Sequence, residues 1–464
     1  MNILDTLRGA IMKLLNLRDA RALGCDMTPA MADAVRQWDD LFYLTNQPQH
    51  SLKMAATLTS TMATLATSEL TLSAGAGARA DWMQGEIETN LLPNLFEAVQ
   101  LAGAGGMAAI KPYVDGDSIY VEIIPRSRIF PRHWGPNRRL DAGYFTDFDK
   151  LDDGTAVVRV EAFAMQADGL QITNNAYRLK EHGWMGAEIP LSDVPRWAEL
   201  QPELLIRGID RPHFGLLRMP LVNTVDGSAY PVSLYANALD SIRELDATYY
   251  DFFWERSTGK RRMILDRSAA MKDPVSGKPA ISFKELASDY YMTLDMPEEK
   301  PWDDYTPNFR FAEYKTAMET QLRMLEMQVG FSQGTFAIDP KTGRVTATQI
   351  ISDDKTTYNT IKAIQDRGIA TGLQDVLYWF DTYASLYSLA PAGSFEPAVS
   401  FGDSIFEDTG TEFARRMQMA DAKYLRPELL IAWYFGVSED KAREMMPADA
   451  GDTLTFAGLP TGSV

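Results

Sequence analysis

An α+β fold with more than one core is predicted for this chain by three observations. Helical and strand-like periodicities are mixed before residue 230, two helices of unusual length follow, and 45% of the 464 residues are hydrophobic. One hydrophobic core stops growing near roughly 250–300 residues, so a chain of this length divides its apolar residues among several.

The elements follow in order from spacing. Thr28-Pro29 opens a helix whose apolar face is Met31, Val35, Trp38 and Phe42, three to four residues apart. A second helix is expected over 51–70, ended by SAGAGA at 73–78. A third, over 81–100, leads into Gly103-Ala104-Gly105-Gly106; strands at 107–114 and 118–124 then flank an Asp115-Gly116 turn. Strand patterns recur near 155–164 and 171–179, and Asp147, Asp149, Asp152 and Asp153 read as a solvated acidic turn.

From Pro231 the pattern becomes helical, with Leu234, Ala238, Ile242, Leu245, Tyr249 and Phe252 on one stripe to about Glu255. At 1.5 Å per residue this makes roughly 35–40 Å of helix. A second long helix over 309–329 carries Phe311, Tyr314, Met318, Leu322, Leu325 and Val329. Between them, 257–306 holds a short strand (261–266), Pro/Gly turns and a small helix, so the two helices form a hairpin with a module at its tip. Residues 334–345 form a polar Gly/Pro/Lys loop without an apolar face. The next 36 positions, 346–381, could make one helix of roughly 50 Å, weakened or bent at Gly368 and Gly372 because mid-helix glycine costs about 1 kcal/mol relative to alanine. A strand over 399–401 and short helices at 409–423, 427–435 and 438–446 complete the reading.

Searches for reaction chemistry find little. GAGGMAAIK at 103–111 lacks the phosphate-loop spacing and precedes a strand, so it reads as a helix-to-strand turn. His50, His133, His182 and His213 are scattered without metal-ligand spacing, and no G-x-S-x-G is present. No catalytic residue, metal site or cofactor is assigned. The single cysteine, Cys25, excludes an internal disulfide framework and fits a reducing compartment. With no uninterrupted apolar run of roughly 18–20 residues, a soluble protein with no membrane partner is expected. The net charge of −18 argues against tight wrapping of nucleic acid, whose affinity comes from Lys and Arg. Basic residues gather at 132–139 (RHWGPNRR), read as loop charge, and at 259–267 (GKRRMILDR) on the hairpin tip.

Several segments, in order and spacing, resemble the portal proteins of tailed bacteriophages, in the branch of long-tailed phages of Gram-positive hosts. They are AVRQWDDLFY, ATLATSEL, AGAGGMAAIKPYV, the run from RPHFGLLRMPLVN to STGKRRMIL, FRFAEYKTAMETQLRMLEMQVGFSQGTFAID, TATQIISDDKTTYNTIKAIQ and VSFGDSIFEDTGTEFARRMQMADAKYLRPELLIAWYFGVSEDKA. Together they span about 30–446. The family's Thr-Ala-Thr-Glu stands here as Thr346-Ala347-Thr348-Gln349, and the C-terminal part is short.

The resemblance implies a homo-oligomeric ring, usually a dodecamer, at one capsid vertex of the virion, assembled in the host cytoplasm. Its channel would pass double-stranded DNA during packaging and ejection. The terminase large subunit, a head-tail adaptor and the major capsid and scaffolding proteins would be its partners, and ATP hydrolysis would belong to the terminase. The implied parts are a wing (1–230), a stem helix (231–256), a clip (257–306), a second stem helix (307–333), a tunnel loop (334–345), a kinked long helix (346–381), a wing return (382–408) and a short crown (409–464). Lys341 and Arg344 would touch DNA, Arg261 and Arg262 would dock terminase or adaptor, and Gly368 and Gly372 would bend the helix. An acidic ring with a few basic points fits such a channel, because phosphates slide past where they are not held. The alternative reading is a soluble enzyme with an unrecognised active site.

Overall fold

The computed structural model describes residues 27–45, 50–180, 185–260, 262–266, 291–294, 302–338, 347–402, 409–435 and 439–446. Helices and strands mix throughout these residues, giving an α+β fold. Helix α1 (Pro29–Tyr43) is capped by Thr28, whose hydroxyl accepts from the Met31 amide at 3.1 Å. It buries Met31, Val35, Trp38 and Leu41, with Phe42 only half-buried.

Helix α2 (Met54–Thr67) is shorter than its apolar pattern suggests. The helix expected to reach Leu70 stops at Thr67, and Leu70 instead opens strand β1 (Leu70–Ser73). Its antiparallel partner, β14 (Ala398–Phe401), lies far along the chain and places Leu72 opposite Val399, a pairing that local periodicity does not encode. Helix α3 (Ala78–Glu86) passes through a π-turn (Ile87–Leu91) into α4 (Leu92–Gly105).

The glycine run at the end of α4 makes the helix-to-strand turn. The helix continues through Gly105, and Gly106, at φ 86°, caps it in the left-handed region. A Cβ on Gly106 would lie 2.7 Å from the Pro231 carbonyl oxygen. The 231–235 segment runs against this turn: the Leu234 amide and Ser233 hydroxyl both donate to the Gly103 carbonyl, and the Tyr235 hydroxyl donates to the Trp38 carbonyl at 2.9 Å. These bonds hold 231–235 out of the helix predicted there. The stem helix therefore begins later, with a 3₁₀ turn (Ala236–Ala238) followed by α5 (Leu239–Thr258).

Strands β2 (Met107–Asp115), β3 (Ser118–Pro125) and β10 (Gly215–Arg218) form one sheet in the order β10-β2-β3. A larger antiparallel sheet runs β4 (Ile129–Trp134), β5 (Leu140–Lys150), β6 (Ala156–Gln166), β7 (Gly169–Leu179) and β8 (Met185–Ile189), with β9 (Glu203–Arg207) also paired to β7. Phe145 and Phe163 stack at 4.9 Å between centroids, and Phe214 meets both edge-on. This aromatic cluster joins the two sheets to the fully buried Trp379.

Asp152 and Asp153 occupy an exposed turn, but Asp147 is 6% exposed and belongs to the interior. Its carboxylate faces Arg128 at 3.1 Å, Arg196 at 3.5 Å and Arg159 at 3.9 Å, and accepts from the Trp197 indole at 3.2 Å. The acidic-turn reading fails here because the compensating cations come from one strand and two separate 3₁₀ turns. Beside this cluster Glu161 pairs with Lys111, with Arg159 at 3.4 Å and with His213 at 2.6 Å.

The long C-terminal helix is α7 (Ala347–Ile364), a π-turn (Gln365–Ile369) and α8 (Ala370–Leu386). Helix α6 (Phe311–Val329) packs beside α5, and β11 (Arg262–Asp266), β12 (Tyr291–Leu294) and β13 (Trp302–Tyr305) form a small sheet beyond them, ordered β12-β11-β13. Helices α9 (Thr409–Asp421), α10 (Pro427–Phe435) and α11 (Glu439–Glu444) follow β14.

Candidate functional site

The α5–α6 hairpin is rooted at one end and bare at the other. At the root, Asp246, 3% exposed, accepts from the Ser51 hydroxyl at 2.7 Å and from the Leu52 amide at 2.8 Å. Ile242 and Leu245 of α5 and Met318, Leu322, Leu325 and Val329 of α6 are buried, but no residue of α5 beyond Asp246 is. Farther out, Phe252 packs against Phe309 and Tyr314, with ring centroids 5.2 and 6.0 Å away. Arg310 grips Glu255 with a two-pronged contact, and these hydrogen bonds draw the Glu255 carboxyl down to about 2.

Large apolar side chains remain in water on this outer half and on the solvent side of the root. Trp254 is 57% exposed, Phe311 55% and Met327 67%, with Tyr250 and Met324 also outside. Along α6 a shallow groove is lined by Ala312, Thr316, Ala317, Thr320 and Met324. Gln321 also lines it; its amide nitrogen donates to Thr248 while its carbonyl oxygen is buried without a partner among the described residues. Small side chains flanked by methionine and aromatic residues suit the approach of another helix, because buried apolar area is what stabilises such contacts.

A second device lies where α6 ends. Gly330 caps the helix at φ 79°. The carboxylate of Glu326, 1% exposed, turns back to accept from the amides of Gly334 and Phe336 at 2.7 and 2.6 Å. Ser332 and Thr357 bond reciprocally, each amide donating to the other's hydroxyl, and the Thr360 hydroxyl donates to the Gly330 carbonyl at 2.7 Å. Thr357 and Thr360 therefore clamp α7 to the chain leaving α6. Sequence reading missed Glu326, which sits on the buried stripe as a charged exception; that exception was its only signal.

Replacing Glu326 with Ala leaves two half-buried amides unpaired, at a cost of about 1–3 kcal/mol. Thermal melting should register that loss, and limited proteolysis should show faster cleavage after residue 332. Glu326→Gln, which keeps one carbonyl acceptor, should lose less. Unchanged melting together with unchanged proteolysis would mean the turn is held by other contacts.

No family model matches the chain, and no curated protein matches it. Among solved structures it is similar to a chain of the virion of a native gene transfer agent (GTA) particle, at 10% identity and TM-score 0.45, covering 93% of this chain and 99% of that one. A chain from the neck of the native GTA particle computed with C12 symmetry is similar at 9% identity and TM-score 0.42, covering 87% and 93%. One from the neck of the empty particle computed with C6 symmetry gives 10% and 0.45, covering 90% and 98%.

Of the sequence-predicted site residues, Lys341, Arg344 and Arg261 lie outside the described residues. Arg262 opens β11, opposite Tyr305 of β13, and is half-buried with its Nε enclosed. Gly368 falls in the π-turn and Gly372 one turn later in α8, both buried against β10. A Cβ would come within 2.4 Å of the Arg218 carbonyl oxygen at Gly368 and within 2.6 Å of the Leu216 carbonyl oxygen at Gly372.

Among the described residues, no group of His, Cys, Asp and Glu could hold a metal, and no helix is long and apolar enough to cross a membrane. Glu161 and His213 form an acid-base pair, but at 3% and 1% exposure it is closed to a substrate. Burial raises the Glu161 carboxyl, yet Lys111, His213 and Arg159 outweigh it and hold the group well below its ordinary range. Burial also pushes the His213 imidazole down, against the attraction of Glu161. A neutral ring donating from Nε2 leaves Nδ1 as a bare acceptor, consistent with Nδ1 having no partner among the described residues.

Proposed function

We propose that this chain is a phage-type portal protein: the subunit of a ring, in its common form a dodecamer, whose channel passes double-stranded DNA. The observation that carries this reading is the α5–α6 hairpin, rooted in a mixed α/β body and bare at Trp254 and Phe311 on its outer half and at Met327 on the solvent side of α6. An isolated chain leaves these side chains in water. A ring buries each hairpin between two neighbours, and head-to-tail contacts close when the rotation between subunits divides the circle.

In this reading α5 and α6 are the stem, and 257–306 is the clip on which the terminase large subunit and the head-tail adaptor dock, with Arg261 and Arg262 contributing charge. The loop over 334–345 points Lys341 and Arg344 at the DNA, and the Glu326 and Thr357 clamps fix its described root. The overall charge of −18 keeps the rest of the ring from gripping phosphate. The ring sits at a capsid vertex among major capsid and scaffolding proteins and catalyses no bond chemistry.

Negative-stain electron microscopy and light scattering on the purified chain test this. Rings with a central channel wide enough for duplex DNA are the expected result. Trp254→Glu combined with Met327→Glu, both exposed in the single chain, should abolish the rings and leave folded monomers with an unchanged far-UV spectrum. A wild-type chain that stays monomeric in every preparation would overturn the proposal.

A further inference from the structure

A cleft of about 450 Å³ lies away from the hairpin, between the 136–140 loop, residues 210–218 and the segment 368–375. That volume is within the roughly 300–1,000 Å³ of small-ligand sites. Four arginines line it, and they are not equivalent. Arg139 pairs with Asp141 at 2.6 Å and donates to the Asp210 carbonyl, while Arg211 pairs with Asp375 at 3.1 Å and lies over the Tyr378 ring. Both are neutralised within the fold.

Arg138 and Arg218 are not. Neither has a carboxylate within ion-pair reach among the described residues, and the sole hydrogen bond of the Arg218 guanidinium goes to the Arg138 backbone carbonyl at 3.2 Å. Arg218 is half-buried, and burial followed by repulsion from Arg138 lowers its pKa. Two like charges are thus held together in a partly desolvated cleft, an arrangement that is unfavourable until an anion enters.

The loop that presents Arg138 is built for its shape. Asn137 and Arg138 both sit in the left-handed region, at φ 56° and 57°, and the Gly135 amide closes the loop on the Arg139 carbonyl at 2.8 Å. Left-handed backbone at two consecutive residues that are not glycine is uncommon and costly enough to need support from its surroundings. Opposite, Thr371 and Gln374 of α8 add neutral hydrogen-bonding groups.

We propose that this cleft binds a phosphate dianion, either as the free anion or as the terminal phosphate of a nucleic-acid strand. A phosphate dianion matches the two uncompensated charges and has enough oxygens for two guanidinium forks and a hydroxyl donor; a single carboxylate would leave one cation unmatched. The site requires only residues of one chain, so it stands apart from ring formation.

Titration calorimetry on the full chain tests it, with inorganic phosphate and a 5′-phosphorylated single-stranded hexanucleotide as probes and with ionic strength matched by chloride. Saturable binding at one site per chain is expected, weakened about tenfold or more in Arg138→Glu and in Arg218→Gln. Arg138→Glu changes an exposed side chain without a partner, so its fold should survive, as thermal melting will verify. Phosphate binding at least as tight as the hexanucleotide's identifies the free anion as the source, and a tighter hexanucleotide identifies the strand; both support the site. Absence of saturable binding with either probe, or affinity unchanged in Arg138→Glu, overturns it.

Discussion

Glu161→Leu is expected to lower stability by about 3–5 kcal/mol, because it strands buried cations. Lys111 from β2 of the smaller sheet and Arg159 from Glu161's own strand converge on this carboxylate, with His213 bonded to it at 2.6 Å. Without it, Arg159 keeps Asn174 at 3.4 Å and the more distant Asp147 at 3.9 Å, whereas Lys111 has no second carboxylate among the described residues. The double variant Lys111→Met/Glu161→Leu should recover part of the loss, since apolar residues can replace a buried pair at little net cost. Thermal and urea unfolding would measure both variants. A loss in the single variant below about 1 kcal/mol would show that water reaches the cluster.

The same cluster sets an acid limit. The His213 imidazole is held below its ordinary 6.5, so the unfolded chain binds a proton there that the folded chain refuses, and stability falls as pH drops below 6.5. Glu161, depressed below 4.5, gives stability that is complete above that value and lost as pH falls toward its folded pKa. Melting temperature should therefore decline in two stages on acidification, and Glu161→Leu should flatten the lower one.

Gly368→Val together with Gly372→Val is expected to cost about 2–6 kcal/mol, summing roughly 1–3 kcal/mol of overpacking at each site. The obstacles at both positions are main-chain carbonyls of β10, which cannot rotate away as a side-chain end can. The contact is reciprocal, since a Cβ on Gly215 of β10 would meet the Gly372 carbonyl oxygen at 2.0 Å. Straightening the helix and altering only the preceding loop, the outcome expected from glycine propensity, is therefore replaced by a folding defect. Low soluble yield and a depressed melting temperature should accompany it, with Thr371→Val, exposed in the same turn, as the neutral control. Normal melting of the double variant would mean that α8 can stand off from β10.

Local chemistry alone determined α1, the β2–β3 hairpin, the β6–β7 pair, the hairpin helices and α10. Each of these carries its own period and its own stop, such as Thr28-Pro29 or Asp115-Gly116, within a few residues. The sequence also excluded a phosphate loop at 103–111, where the structure has a helix cap and a strand. Tertiary structure decided what depends on partners far along the chain. Leu70 leaves the expected helix for a strand paired with β14, 231–235 stay out of the helix to bond the end of α4, and Asp147 is buried by arginines from separate elements. The candidate sites divide in the same way. The two long helices of the hairpin follow from helical spacing, but Glu326 acquired its role only when α6 ended in a turn that brought two amides back to its carboxylate. The RHWGPNRR cluster looked like uniform loop charge until folding gave Arg139 the Asp141 carboxylate and left Arg138 beside Arg218. Charge is a property of the residue, whereas its compensation belongs to the neighbours, and only folding chooses the neighbours.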